Sequence, residues 1–269
     1  DIAYSGRLEP GKFFFIDTEK QKIIDDQEIK KTVSHRRPYA QWLKENLVDI
    51  EQLPPVTSTR KEPEDTFTLL KAFGYTREDL KMIIKPMAEA AKEPIGSMGN
   101  DTPHAVLSKK PQLLYNYFKQ LFAQVTNPAI DPIREELVMS LECYMGARRN
   151  LLDETPEHCR KVRLAQPILT NEALEKIRHI KGNGFKTKTI SLLYKASSQK
   201  EFMSTLNRIC KESRAAIDDG YSFIILSDRG VNKENAALPV LLATGAVHQH
   251  LVKDGSRSRK IALVNLMNP

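Results

Sequence analysis

Cysteines and histidines are the residue types best suited to metal or nucleophilic chemistry, and their spacing in this sequence argues against both. Cys143, Cys159 and Cys210 form an odd, widely separated set, which predicts neither a disulfide framework nor a CxxC metal site. His248 and His250 are two residues apart, so on a helix they point roughly 200° away from each other and cannot share a metal ion. We therefore expect no metal site, and a reducing, cytoplasmic compartment.

The best-placed ionisable pair is Asp228 and Arg229, which follow Ser227 at the end of an apolar run. No glycine-rich phosphate motif accompanies them, since Gly182-Asn183-Gly184 lacks a third glycine and a preceding strand, and no nucleophile elbow is present. A salt bridge or helix cap is one role for this pair. The other is that the strand-end loop of a free-standing module binds a small anionic metabolite near Arg229.

The elements that would position this loop alternate between strand and helix in the final third of the chain. Strands are predicted at 189–194, 223–226 and 261–264, and amphipathic helices at 201–217 and 238–253. This order predicts an α/β fold in which parallel β-α-β units with right-handed crossovers form an open or partial-barrel-like sheet flanked by helices. Ligands of open parallel sheets bind at the carboxyl ends of the strands.

The first third of the chain predicts an N-terminal β-hairpin. Phe13 to Asp17 and Lys22 to Ile24 read as two short strands joined by a polar turn. A hairpin of this size is not stable alone, so it must pack on other structure. Residues 50–66 contain three prolines, several charges and few large apolar groups, and we interpret them as a linker.

Two polar elbows, residues 96–103 and 126–132, flank the middle of the chain. Gly96 and Gly99 permit positive φ in the first elbow, and the prolines of the second restrict φ and the residue before each of them. Both elbows therefore read as shaped loops, although loops of this composition often do no more than join helices. Residues 133–141, after the second elbow, fit helix and strand equally well.

These elbows carry a family resemblance. EP-x-x-S-M-G-x-D-x-P and FAQVTNPxIDPxRE, as they stand between Glu93 and Glu136, are similar to long signatures of the central domain of the glutamate synthase large subunit. The segment GRLxPG…DT…IIDD near the N-terminus resembles the end of the amidotransferase domain of the same family. The resemblance implies three parts: residues 1–49 as the end of the amidotransferase domain, 50–66 as the linker, and 67–269 as the central domain, ending before the FMN domain.

The resemblance implies that the chain is a fragment of an enzyme that forms two glutamates from glutamine, 2-oxoglutarate and a reductant. In that family the nucleophile is an N-terminal cysteine, whereas position 1 here is Asp1. FMN and an iron–sulfur cluster belong to a later domain, so no cofactor or catalytic residue is expected in this chain. Its implied role is to connect the amidotransferase and FMN domains and to line the ammonia tunnel. The candidate tunnel or interdomain residues are Ser97, Met98, Gly99, Asn100, Asp101 and Thr102, followed by Thr126, Asn127 and Asp131.

Charge and composition argue against two further classes of partner, nucleic acids and membranes. The net charge is +7, but the basic residues are scattered among acidic ones, without the interleaved aromatics that nucleic-acid binders use. No apolar run approaches the ~18 residues of a membrane helix. We therefore expect neither nucleic acid nor membrane as a partner. The expected partners are the neighbouring domains of a parent chain and, through that parent, ferredoxin or a reductant-supplying subunit.

Overall fold

The computed structural model describes residues 2, 5–56, 65–95, 103–118, 128–196 and 199–256, and the backbone of residues 262–266. Within them, the strands are β1 (Phe15–Asp17), β2 (Lys22–Ile24), β3 (Leu47–Asp49), β4 (Cys143–Met145), β5 (Lys161–Leu164), β6 (Thr187–Ser191), β7 (Leu193–Lys195), β8 (Phe223–Ser227), β9 (Asn235–Ala237) and β10 (Ala262–Leu266). The α-helices are α1 (Asp26–Ser34), α2 (Tyr39–Asn46), α3 (Thr66–Ala72), α4 (Lys85–Ala90), α5 (Pro132–Val138), α6 (Asn171–Arg178), α7 (Gln199–Asp218) and α8 (Val240–Lys253). A π-helix at Asp79–Ile84 and four 3-10 turns complete the set.

The largest core surrounds a parallel sheet with the strand order β10-β8-β6. β8 pairs in parallel with both neighbours, and Ile225 lies opposite Thr189 on one side and Val264 on the other. All five residues of β8 are buried, as expected for a strand that is covered on both faces. Ile224 and Leu226 pack with residues of α7 and α8, among them Ile209 and Val247.

A second core lies around a smaller sheet with the order β3-β5-β4, in which β3 and β5 are parallel and β4 is antiparallel. Val162 of β5 packs with Ile177 of α6 and with Phe223, the first residue of β8. The ring of Phe223 stacks on that of Phe185 with centroids 5.4 Å apart. β8 therefore contributes to both cores. Strands β3, β4 and β5 were not predicted from the sequence.

The predicted strand at 189–194 is divided into two. β6 ends at Ser191, and β7 begins at Leu193 and pairs antiparallel with β9 in a separate ribbon. The intervening Leu192 is fully buried; its N–H donates to the carbonyl of Ser227 and its carbonyl accepts from Leu238. The chain thus changes sheets at Leu192. The strands of the described residues form several small sheets and no closed barrel, and the prediction of a mixed α/β fold is confirmed.

The predicted N-terminal hairpin is confirmed, with Phe15 opposite Ile24 and Asp17 opposite Lys22. Asp25 then caps α1 by accepting from the N–H of Glu28 at 2.8 Å. In the region interpreted as a linker, Ile50 is buried in the second core. Residues 57–64 of that region lie outside the described residues, and the domain boundaries stay a prediction. No helix in the described part of the chain is both long and apolar enough to cross a membrane.

Candidate functional site

The strand-end segment Ser227, Asp228 and Arg229 lies at the carboxyl edge of the parallel sheet. Ser227 is the last residue of β8, and both it and Asp228 are buried. The backbone N–H of Arg229 donates to the Ser227 hydroxyl at 3.3 Å, which closes a tight turn after the strand. The Arg229 side chain leaves this turn toward α6 and is about a quarter exposed.

Arg229 is bound to a buried carboxylate on α6. Its Nη1 donates to Glu175 Oε1 at 2.9 Å, and its Nη2 is 3.5 Å from Asn171 Oδ1. Glu175 is only 3% exposed. Asn171 and Glu175 are four residues apart and so share one face of the helix. Thr170 caps α6 by accepting from the N–H of Ala173, which fixes the start of the helix and thus the position of that face.

Glu175 has further basic neighbours on its own helix. Arg178 Nε donates to Glu175 Oε1 at 3.2 Å, and Arg178 Nη1 donates to the Thr189 hydroxyl of β6 at 2.8 Å. His179 Nδ1 donates to the Glu175 carbonyl at 3.0 Å and lies 3.7 Å from Glu175 Oε2. One carboxylate oxygen thus accepts from two guanidinium groups, which together join α6, β6 and the end of β8.

This geometry favours one of the two roles left open for Arg229. A guanidinium whose Nη1 is already bound to a buried carboxylate is poorly placed to recruit an external anion, because the ligand would have to compete with Glu175. The site is therefore a structural ion pair. Glu175 and Arg178 were not among the site residues predicted from the sequence. Their i, i+3 spacing was the available signal, but Arg229 is 54 residues from Glu175.

Of the tunnel candidates, Asp131 is the one within the described residues. Its Oδ1 accepts from the N–H groups of Ile133 and Arg134 at 3.1 and 3.2 Å, and its Oδ2 forms an ion pair with Arg134 at 2.9 Å. Asp131 is therefore the N-cap of α5, and Pro132 occupies the first helical position. The segment after the second elbow is thus helical. The other candidates lie outside the described residues: Ser97, Met98, Gly99, Asn100, Asp101, Thr102, Thr126 and Asn127.

The cysteines do not fit an iron–sulfur or zinc site. Cys143 lies in β4, Cys159 in a 3-10 turn and Cys210 in α7, and each is a partly buried free thiol. Burial raises the pKa of Cys159 and of Cys210, so both thiols are protonated at neutral pH. Within the described ranges, no group of three or more His, Cys, Asp or Glu side chains is placed to hold a metal ion.

Two family models match the chain. Residues 68–266 match the glutamate synthase central domain, and residues 1–42 match the class-II glutamine amidotransferases. The chain is 43% identical to "Glutamate synthase [NADH]" of Schizosaccharomyces pombe, with 98% of this chain and 13% of that protein covered. It is 41% identical to "Glutamate synthase [NADPH] large chain" of Bacillus subtilis, covering 98% and 17%. It is 40% identical to the chloroplastic ferredoxin-dependent glutamate synthase of Oryza sativa subsp. japonica, covering 95% and 16%.

The chain spans about one sixth or less of the length of these relatives. The central-domain match includes both elbows, the helix that carries Glu175 and the strand that ends at Ser227. The amidotransferase match covers the hairpin and α1. With one family model over most of its length and relatives at 40% identity or more along nearly all of it, this chain belongs to the glutamate synthase family.

Proposed function

We propose that this chain is the connecting part of a glutamate synthase, an enzyme that forms two glutamates from glutamine, 2-oxoglutarate and a reductant. It joins the amidotransferase domain, where glutamine releases ammonia, to the FMN domain, where glutamate is formed. It has no reacting group of its own. The FMN and the iron–sulfur cluster are held elsewhere in the parent protein, and residues 1–49, 50–66 and 67–269 are the end of the amidotransferase domain, the linker and the central domain.

The observation that carries this proposal is the order of the two family matches. Amidotransferase-like residues 1–42 precede central-domain residues 68–266 in the same chain, with only residues 43–67 between the two matches. The exposed face of the hairpin supports the same conclusion, since Phe13, Phe14, Ile16 and Ile23 are each about half exposed or more. An apolar surface of this kind indicates contact with further protein. The remainder of an amidotransferase domain is the natural cover for it.

We also propose that the two elbows line the ammonia tunnel. Free ammonia is protonated in water near neutral pH, so its transfer between two sites needs a closed path. Small polar and apolar residues in rigid turns suit such a wall. The first elbow supplies the primary residues, Ser97 to Thr102, and the second supplies Thr126, Asn127 and Asp131.

The experiment is a coupling measurement on the full-length enzyme. Ser97→Phe and Thr102→Phe should block or open the path, so that more glutamine is hydrolysed per reductant oxidised than in the unmodified enzyme. Ser204→Phe, on an exposed position of α7, is the matched control and should leave the ratio unchanged. An unchanged ratio in both elbow variants would remove the tunnel assignment.

The alternative function, a free-standing module that binds a small anion near Arg229, is disfavoured by the Glu175 ion pair. Calorimetry of the chain with 2-oxoglutarate, glutamine and FMN tests it, with Arg229→Gln as the diagnostic variant. The connector proposal requires that Arg229→Gln leave any observed binding unchanged. Loss of saturable binding in that variant would support the alternative.

We also propose a handedness for the sheet connections, and the partners and compartment of the chain. The β6-α7-β8 and β8-α8-β10 units are right-handed crossovers of an open sheet. The partners are the amidotransferase and FMN domains of the parent chain and, through that parent, ferredoxin or a reductant-supplying subunit. The compartment is the cytoplasm, although the names of several plant relatives place those proteins in chloroplasts.

A further inference from the structure

A small cavity opens at the amino-terminal edge of the parallel sheet, at the opposite end of β8 from Arg229. Its volume is about 200 Å³. Gly184 and Phe185, before β6, and Gly220, Tyr221 and Ser222, before β8, form one side of it. Pockets for drug-sized ligands measure roughly 300–1,000 Å³. The size of this cavity therefore restricts a ligand to a small metabolite.

Two arginines line the cavity, Arg149 and Arg160. Within the described ranges, neither guanidinium forms an ion pair or a side-chain hydrogen bond with the protein. This distinguishes them from Arg178 and Arg229 at the other edge of the sheet, which are bound to Glu175. Guanidinium groups bind carboxylates through paired N–H donors. Arg149 and Arg160 are thus available to a ligand in a way that Arg229 is not.

One carboxylate, that of Glu157, lines the same cavity. A hydrogen bond from the Thr155 hydroxyl, a second from the backbone N–H of Glu157 itself, and the nearby charges of Arg149 and Arg160 lower the pKa of this carboxyl group. Glu157 is therefore ionised at neutral pH. The cavity therefore presents two positive groups, Arg149 and Arg160, and one negative group, Glu157.

Two lysines next to the cavity walls, Lys161 and Lys186, add positive charge. Burial, followed by the charges of Arg148 and Arg149, lowers the pKa of Lys161, whose ammonium group donates to the carbonyl of Ala147 in the cavity wall. Lys186 Nζ lies 4.7 Å from the centroid of the Tyr221 ring, which lines the opposite wall. A cleft with an excess of one sign of charge concentrates ligands of the other sign. The expected ligand is therefore a net anion.

Gly184 lets Arg160 take its position. A Cβ at Gly184 would lie 3.0 Å from Arg160 Nη1, and the residue has a φ of +75°, which favours glycine. The guanidinium thus lies directly against bare backbone at the mouth of the cavity. The Ser222 hydroxyl donates to the Gly184 carbonyl at 3.0 Å and fixes this turn against the start of β8.

We propose that this cavity binds an acidic α-amino acid. Such a ligand carries two carboxylates and one ammonium group, which complement the two guanidinium groups and the one carboxylate of the walls. Arg149 and Arg160 bind the carboxylates and Glu157 binds the ammonium group. The site shares no residue with the elbows and lies at the opposite end of β8 from Arg229, and it does not depend on the tunnel proposal.

The test is calorimetry at low salt on the 269-residue chain, with L-glutamate as the probe. Glutarate, which lacks the ammonium group, glutamine, which lacks the second carboxylate, and inorganic phosphate are the comparison ligands. We expect glutamate to bind at least about tenfold more tightly than each of the three, since each lacks at least one of the matched charges. Arg149→Gln and Arg160→Gln should each weaken glutamate binding about tenfold or more. Arg77→Gln, an exposed arginine outside the cavity, is the control and should leave it unchanged.

Glu157→Gln tests whether the carboxylate binds the ammonium group of the ligand. This variant should still bind glutamate, but with a smaller preference for glutamate over glutarate. Arg149 is exposed, so its variant tests the site even if Arg160→Gln fails to fold. Absence of saturable glutamate binding at about 10 mM would overturn the proposal. Phosphate binding as tight as glutamate binding, or full glutamate affinity in Arg149→Gln, would overturn it equally.

Discussion

Arg229 Nη1 lies 2.9 Å from Glu175 Oε1, and this contact joins the end of the central strand β8 to α6, 54 residues earlier in the chain. Arg178 binds the same carboxylate oxygen. The pair therefore fixes the helix of the second core against the strand that both cores share. Its consequences are open to measurement, as are those of three other local features.

Removal of the buried carboxylate should destabilise the fold strongly. Glu175→Ala leaves the guanidinium groups of Arg178 and Arg229 without their common acceptor, and breaking a buried pair costs about 3–5 kcal/mol. Both arginines keep some contact with water, so we expect the lower value, about 3 kcal/mol, in urea unfolding. Glu172→Ala, on an exposed position of the same helix, is the control and should cost less than about 1 kcal/mol. Equal losses in the two variants would contradict the structural role of Glu175.

Asp131 should stabilise α5 through its capping oxygen. Asp131→Ala removes the acceptor for two backbone N–H groups and should lower the free energy of unfolding by about 1 kcal/mol. Asp131→Asn retains a capping oxygen, so it should stay within a few tenths of a kcal/mol of the unmodified protein. Thermal unfolding followed by circular dichroism measures both. A loss in the Asn variant as large as that in the Ala variant would show that the charge, and not the cap, is what matters.

Two glycines should respond to alanine in opposite directions. A Cβ at Gly146 would lie 2.8 Å from the backbone carbonyl of Arg160, so Gly146→Ala must displace backbone next to β5 and should destabilise by more than about 1 kcal/mol. Gly245 is in the interior of α8 with no atom within 4 Å of a Cβ, so Gly245→Ala should stabilise by up to about 1 kcal/mol. Urea unfolding compares them. A Gly146→Ala variant as stable as the unmodified protein would show that the close contact at Gly146 does not exist in solution, and a destabilised Gly245→Ala variant would contradict the open space around Gly245.

Cys210 should react slowly in the native protein. Burial raises the pKa of its thiol, so less of the reactive thiolate is present at neutral pH, and the rate of alkylation should rise as the pH increases toward the raised pKa. Mass spectrometry of iodoacetamide-treated chain gives the rate for this residue, with the urea-unfolded chain as the reference. A native rate equal to the unfolded one would show that α7 does not shield Cys210.

Patterns that are local in sequence could be predicted, and the reasons are physical. β8 is a continuous apolar run because both of its faces are covered, and the hairpin has two short strands around a polar turn. The helix predicted at 201–217 corresponds to α7, whose apolar residues recur at helical spacing. The family could also be predicted from the sequence, because the signatures in the elbows are long and contiguous.

Features that depend on distant residues could not be predicted. β3 and β5 are three and four residues long, and they pair although more than 100 residues separate them. No periodicity develops in so short a strand. Glu175 resembles any helical surface glutamate until the fold brings Arg229 to it. Likewise, Arg149, Glu157 and Arg160 reveal a common cavity only when the turns before β6 and β8 close around it.

The alternation of side chains along β8 has a thermodynamic consequence. Ile224 and Leu226 pack into the core with α7 and α8, whereas Phe223 packs into the core with β5 and Ile225 packs on Leu174 of α6. Loss of β8 from one core would also remove packing from the other core, so the two cores cannot unfold independently. Heat or denaturant should therefore melt both halves in one concerted transition.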